Sequence, residues 1–181
     1  MSLSERRRVA RAICEQVIGL DVFLQARDVV AYAAVGSEVD PRCIVEAAIG
    51  RGCRMYFPRI GVDDLEFREA RPADLVAGQG GLMEPPATAE PLPPDRPAVA
   101  IVPGVGFDLA GRRLGRGGGH YDRALAKYPL AFSVGVGSEV QVVDCLPEQP
   151  WDRRVDLVVT ERRIISPPGL GSRATKESQS C

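Results

Sequence analysis

Two β-rich apolar runs separated by a short helical stretch place the strongest constraint on this chain. DVVAYAAV (28–35) is apolar enough for a buried strand, CIVEAAIG (43–50) reads as a short helix stopped by glycine, and CRMYFP (53–58) reads as a second strand. A helix that crosses between two strands within about 35 residues joins them in parallel, because an antiparallel pair needs only a hairpin. The same strand pattern recurs at AVAIVP (98–103), AFSVGVG (131–137) and VDLVVT (155–160). LEFREA (65–70) has the composition of a more exposed strand, and RRII (162–165) of a short last one. The expected architecture is therefore α/β: a three-layer αβα arrangement, doubly wound, around a mainly parallel sheet with mixed edges.

The remaining elements fit that frame. Ser4 and Glu5 open a helix in which Val9, Ile13, Val17 and Leu20 recur near every 3.6 residues, with Gly19 near its end. A second clear helix is expected around Tyr121–Lys127. Residues 85–97, PPATAEPLPPDRP, hold six prolines in thirteen positions and are expected to form an ordered, extended surface connection. With 181 residues, the chain suits one domain over 1–165, followed by a polar tail, 166–181, expected to be disordered.

Composition mainly excludes. Lysine plus arginine number 23 against 24 acids, a formal charge of −1, so no cationic field points to nucleic acid or an anionic membrane surface. No apolar run approaches the roughly 20 residues that cross a bilayer. One histidine, His120, excludes an HExxH metal centre, which needs two. The five cysteines are scattered and none forms CxxC, so neither a zinc ribbon nor a thioredoxin-type motif is present. They are expected to be buried, reduced thiols in a cytoplasmic setting.

The chemistry concentrates in VPGVGFDLAGRRLGRGGGHYDR, from Val102 to Arg123. A buried strand ends at Val102 and Pro103, and the chain leaves it at the carboxyl edge of the sheet, where open α/β sheets bind ligands. Gly117, Gly118 and Gly119 let backbone N–H groups approach an anion without Cβ obstruction, and the following helix directs its positive end to the same place. Arg112, Arg113 and Arg116 add forked donors suited to phosphate oxygens, and Asp122 is a candidate magnesium ligand. The stretch is neither a Walker A loop nor a GxGxxG turn opening directly from a strand.

This stretch resembles the VPGxxFDxxGxRLGxGxGxYD hallmark of the 5-formyltetrahydrofolate cyclo-ligase family at every fixed position. GSEVDP (36–41), FPR (57–59), GLMEP (81–85) and the segment SEVQVVDCLPEQPWDRRVDLVVTE are similar to further family motifs in the same order. The resemblance implies a NagB/RpiA/CoA-transferase-like fold. It also implies an enzyme that uses ATP and Mg2+ to close 5-formyltetrahydrofolate into 5,10-methenyltetrahydrofolate, with small molecules as its only partners. A cytoplasmic monomer or weak homodimer fits that picture.

By matching position, Arg113, Arg116 and Gly117 to Gly119 would cradle the triphosphate, with His120 and Arg8 beside them. Arg116, Tyr121 and His120 are the expected catalytic residues, and Tyr121, His120 and Glu38 the folate-binding ones. Asp122 and Asp152 would coordinate magnesium. Glu38 also suits a helix-capping role, Trp151 suits either ligand stacking or packing over the sheet edge, and Asp156 reads as structural. Two departures from the family pattern stand out: His120 replaces the commoner tyrosine or phenylalanine, and Arg6, Arg7, Arg8 and Arg11 align poorly with the usual N-terminal basic pair. A non-catalytic relative that binds folate or nucleotide is the alternative these departures leave open.

Overall fold

A computed structural model describes residues 1–61, 64–78, 82–128 and 130–168. The chain opens with α1 (Leu3–Ile18), where Ser2 and Glu5 form a reciprocal capping box, and Val9, Ile13, Cys14 and Val17 make the buried stripe. A short α2 (Asp21–Gln25), not foreseen from the sequence, leads into β1 (Asp28–Val30). After α3 (Arg42–Gly50) come β2 (Arg54–Ile60), β3 (Leu65–Glu69), β4 (Val76–Ala77) and β5 (Met83–Glu84). Then follow β6 (Ala98–Pro103), β7 (Gly106–Asp108), β8 (Arg113–Leu114) and α4 (His120–Lys127). The last strands are β9 (Leu130–Val136), β10 (Val142–Val143), β11 (Leu157–Val159) and β12 (Ile164–Ile165).

Seven strands form the main sheet in the order β12-β11-β9-β6-β1-β2-β3. Every neighbour from β11 to β2 runs parallel, and the outer strands β12 and β3 are antiparallel. The strand order reverses between β1 and β6: β2 lies on one side of β1, and β6, β9 and β11 extend on the other. The first strand is shorter than its apolar run, because the chain after Val30 leaves the ladder for a turn at Gly36, whose φ is +65°.

Side-chain alternation along the strands separates two cores. Val29, Met55, Val99, Ile101, Val134 and Val159 pack with α1 and α3. Val30, Tyr56, Ala100, Val102 and Val158 face the other way and pack with Ala124 and Tyr128 of α4 and its end. Helices thus cover both faces of a mostly parallel sheet, and among the described residues no helix is long and apolar enough to cross a membrane.

Two sequence expectations need revision. Cys14 on α1 and Cys43 on α3 are not separate thiols but a disulfide, with Cα atoms 6.1 Å apart. Of the other described cysteines, Cys53 is half-buried and Cys145 exposed. The stretch between β6 and α4 is also not simply a loop. It holds β7 and β8, which pair antiparallel, while β10 adds to β7 in parallel. The tail lies outside the described residues from 169 on, but Pro167 is buried and packs on Gly111.

Phe107 anchors this small sheet onto the large one. Its fully buried ring lies against three glycines: a Cβ at Gly104, Gly135 or Gly137 would fall 2.6, 2.5 or 3.0 Å from it. Glycine at these positions allows the aromatic ring to lie directly on backbone.

Candidate functional site

The turn after β1 leaves the carboxyl edge of the main sheet where its strand order reverses, the place where open α/β sheets form a crevice, and the loop from β8 of the small sheet to α4 lies against it. They touch there: the Arg116 guanidinium lies 2.9 Å from a Glu38 carboxylate oxygen and donates to the Val35 carbonyl at 3.2 Å. Glu38 turns its other oxygen to the Val35 N–H at 2.9 Å. It does not cap the next helix, whose start at Pro41 has no side-chain cap. From α1, Arg6 donates to the Gly36 carbonyl at 3.0 Å.

The glycine loop enters α4 in the left-handed region, with φ +89° at Gly117 and +61° at Gly119. These backbone values favour glycine, and they leave the first N–H groups of the helix without a side-chain cap. His120 is exposed and folds back over Gly118, where an added Cβ would lie 2.7 Å from the ring. Its Nδ1 sits 3.1 Å from Arg123.

Beneath this lip lies a buried charge pair. Arg113 is only 3% exposed and donates to Asp122 at 3.0 Å, with its guanidinium 5.4 Å from the Tyr121 ring centroid. Its Nε has no hydrogen-bond partner. Burial pushes the Tyr121 phenol well above its ordinary value; Arg113 opposes that shift and the Glu38 carboxylate reinforces it. Asp122 also accepts from the Arg153 N–H at 3.2 Å, which brings the segment carrying Asp152 to the start of α4. One oxygen of Asp152 accepts from Gln149 N–H at 2.8 Å. Trp151 is 68% exposed, so it does not pack down over the sheet edge.

Three of the expected residues therefore sit differently from a simple reading of the motif. Arg113 faces inward, while Arg8 is exposed on α1 and Arg6 makes the contact with the site. Arg112 is not a free phosphate donor. It pairs with Asp108 at 2.9 Å and with Glu148 at 3.0 Å. Asp108 is fully buried and additionally accepts from the N–H groups of Ala110, Arg112 and Leu146, each at 2.9 Å. Burial would raise its carboxyl, but these hydrogen bonds hold it below the usual range. Glu148 lies between Arg154 and Arg112, which lower it to about 2. Asp108 stands in the FD of the hallmark, but no local pattern announces its partner at Leu146. Asp156 is structural as expected, accepting from Ser133 N–H and Oγ at 2.7 and 2.6 Å.

Among the described residues no group of three His, Cys, Asp or Glu side chains could hold a metal alone. Asp122 and Asp152 nevertheless supply hard oxygen donors on touching segments, and magnesium is commonly held by one or two carboxylates completed by substrate phosphates and water.

The molecule is an α/β protein that gathers arginines, acids and a glycine loop at the switch point of a mostly parallel sheet. The model of the 5-formyltetrahydrofolate cyclo-ligase family matches residues 1–161. A 5-formyltetrahydrofolate cyclo-ligase of Mycolicibacterium smegmatis is 32% identical, covering 90% of this chain and 91% of the relative. One from Escherichia coli is 32% identical over 78% of this chain and 81% of its own length. The NMR structure of Aquifex aeolicus 5,10-methenyltetrahydrofolate synthetase superposes with a TM-score of 0.80 at 31% identity, covering 100% of this chain and 88% of that one. The chain belongs to the 5-formyltetrahydrofolate cyclo-ligase family.

Proposed function

We propose that this enzyme converts 5-formyltetrahydrofolate and ATP into 5,10-methenyltetrahydrofolate, ADP and phosphate, on a NagB/RpiA/CoA-transferase-like doubly wound fold. The observation that carries the reading is the complete hallmark, folded so that its glycine–arginine loop faces Glu38 across the switch-point crevice. The formyl oxygen attacks the γ-phosphorus of ATP, an O–P bond forms and ADP leaves. N10 of the folate then attacks the activated carbon and gives up its proton to solvent, and phosphate departs with the former formyl oxygen. Both nucleophiles belong to substrate, so the protein must position the groups and offset charge.

The chain's residues divide that work. Gly117, Gly118 and Gly119 present backbone N–H groups to the triphosphate at the positive end of α4. Arg116, 56% exposed at the crevice mouth, can reach a phosphate, while buried Arg113 supplies positive charge from below. His120 on the lip, with Arg8 further out, borders the nucleotide. Tyr121 and Glu38 face the folate side, where the phenol and carboxylate can orient the formyl group and the ring N–H donors. Magnesium, held by Asp122 and Asp152, would neutralise charge on the transferring phosphoryl group. The small-molecule substrates are the only partners this reading needs, and it keeps a cytoplasmic monomer or weak homodimer.

Incubation with 5-formyltetrahydrofolate, ATP and magnesium is expected to raise the near-ultraviolet absorbance of methenyltetrahydrofolate. Tight folate binding with no rise would favour a non-catalytic binding protein, a reading that His120 and the N-terminal arginine register would then explain.

A further inference from the structure

Glu38 and Arg116 come from opposite sides of the switch-point crevice, the first after β1 and the second before α4. They form one ion pair at 2.9 Å. The pair is braced: Arg116 also donates to the Val35 carbonyl, Glu38 accepts from the Val35 N–H, and Arg6 holds the Gly36 carbonyl of the same turn. Glu38 is 19% exposed while Arg116 is 56% exposed, so the carboxylate is the fixed member and the guanidinium the movable one. On the proposed reading, ATP needs this guanidinium and folate needs this carboxylate.

We infer that Glu38 restrains the nucleotide-side arginine: it holds Arg116 against the β1 turn until a substrate displaces it, so that ATP and folate bind with positive coupling. The inference rests on the nucleotide-cradle reading of the glycine–arginine loop given above. A triphosphate outcompetes a single carboxylate for the guanidinium, and its arrival leaves a Glu38 oxygen free for folate N–H donors. In the other order, N–H donors that engage Glu38 weaken its hold on Arg116, which is then available to phosphate. Thermodynamic linkage makes the two effects equal in size. Because Arg116 is more than half exposed, the coupling is modest, about 2- to 5-fold, and fades as salt screens the pair.

The test measures binding of ATP with magnesium, without folate, by calorimetry. It compares wild type, Glu38→Gln, Arg116→Ala and the double variant. Glutamine keeps the acceptor for the Val35 N–H but removes the charge that competes with phosphate. Glu38→Gln is expected to tighten nucleotide binding about 2- to 5-fold in the wild-type background and to leave it unchanged in the Arg116→Ala background. Unchanged or weaker binding in Glu38→Gln overturns the inference, as does equal tightening in both backgrounds, which would mean general electrostatics. Wild-type protein that binds no nucleotide overturns the cradle reading itself, and the inference with it. Should Glu38→Gln fail to fold, wild-type affinity for a non-hydrolysable ATP analogue with and without 5-formyltetrahydrofolate decides: a ratio of one overturns the inference.

Discussion

Replacing Gly135 by alanine tests whether the hallmark segment is seated on the sheet as described. Gly135 lies in β9, between Val102 of β6 and Val158 of β11, so its backbone is held on both sides. An added Cβ would fall 2.5 Å from one Phe107 ring carbon, 3.1 Å from another and 3.1 Å from a Val155 methyl. Carbon atoms prefer roughly 3.5–4.0 Å, so the closest overlap is about 1 Å. Relief requires the ring to shift, but Phe107 is fully buried and bounded by Gly104 and Gly137 as well. Overpacking of this kind costs about 1–3 kcal/mol, and the lack of room to yield places it in the upper half. The ordinary gain from Gly→Ala, about 0.5–1 kcal/mol, is too small to offset it. For a chain of this size, a net loss near 2 kcal/mol lowers the melting temperature by roughly 4–8 °C, measurable by scanning calorimetry. Gly50→Ala is the control. It ends α3 with nothing within 4 Å of the new methyl, so the same change there should be neutral or mildly stabilising. A Gly135→Ala protein that melts at or above the wild-type temperature would refute the seating of Phe107.

Further predictions concern charge and covalent linkage. Asp108 is held below its ordinary value in the folded state, so its contribution is fully present above the unfolded value of about 3.9 and is lost as pH falls through the folded one. Glu148, lowered to about 2, acts with the same sign. Asp108→Asn should therefore cost about 3 kcal/mol at neutral pH and flatten the dependence of stability on pH below 4; an unchanged acid-unfolding profile would contradict the hydrogen bonds and ion pair that hold Asp108 ionised. Arg116→Ala should raise the ATP concentration needed for half-maximal rate while leaving folate binding largely intact, and steady-state kinetics with each substrate varied separates the two. Cys43→Ser should lose about 3–4 kcal/mol, given the 29-residue separation of Cys14 and Cys43. Intact mass after alkylation, with and without reductant, should differ by two alkyl groups; equal masses would mean free thiols, as a reducing compartment favours.

Much of the fold was legible because it is written in local periodicity. The stripe of Val9, Ile13 and Val17 and the strand–helix–strand rhythm through residue 58 each follow from burying one face or both. What escaped depends on distant partners. β7, β8 and β10 are only two or three residues long, too short for a periodic signal, and the pairing of Val142 and Val143 with β7 joins segments far apart in sequence. The first strand is shorter than its apolar run because Ala31 and Tyr32 remain buried after Val30 ends the strand, so composition alone does not mark the boundary. The hallmark named the site residues but not their pairings. Arg116 reaches Val35 across 81 positions, and Arg112 is diverted from phosphate by Asp108 and Glu148. The Cys14–Cys43 bridge likewise needs α1 packed on α3 before it can be drawn.

On the proposed mechanism, ATP activates the formyl oxygen for ring closure. The most direct measurement follows 5-formyltetrahydrofolate carrying a heavy-oxygen label in its formyl group through turnover with ATP and magnesium. Methenyltetrahydrofolate should form with one ADP per product, and the label should appear in inorganic phosphate. Product formed without ATP, or label released into water, would contradict the claim.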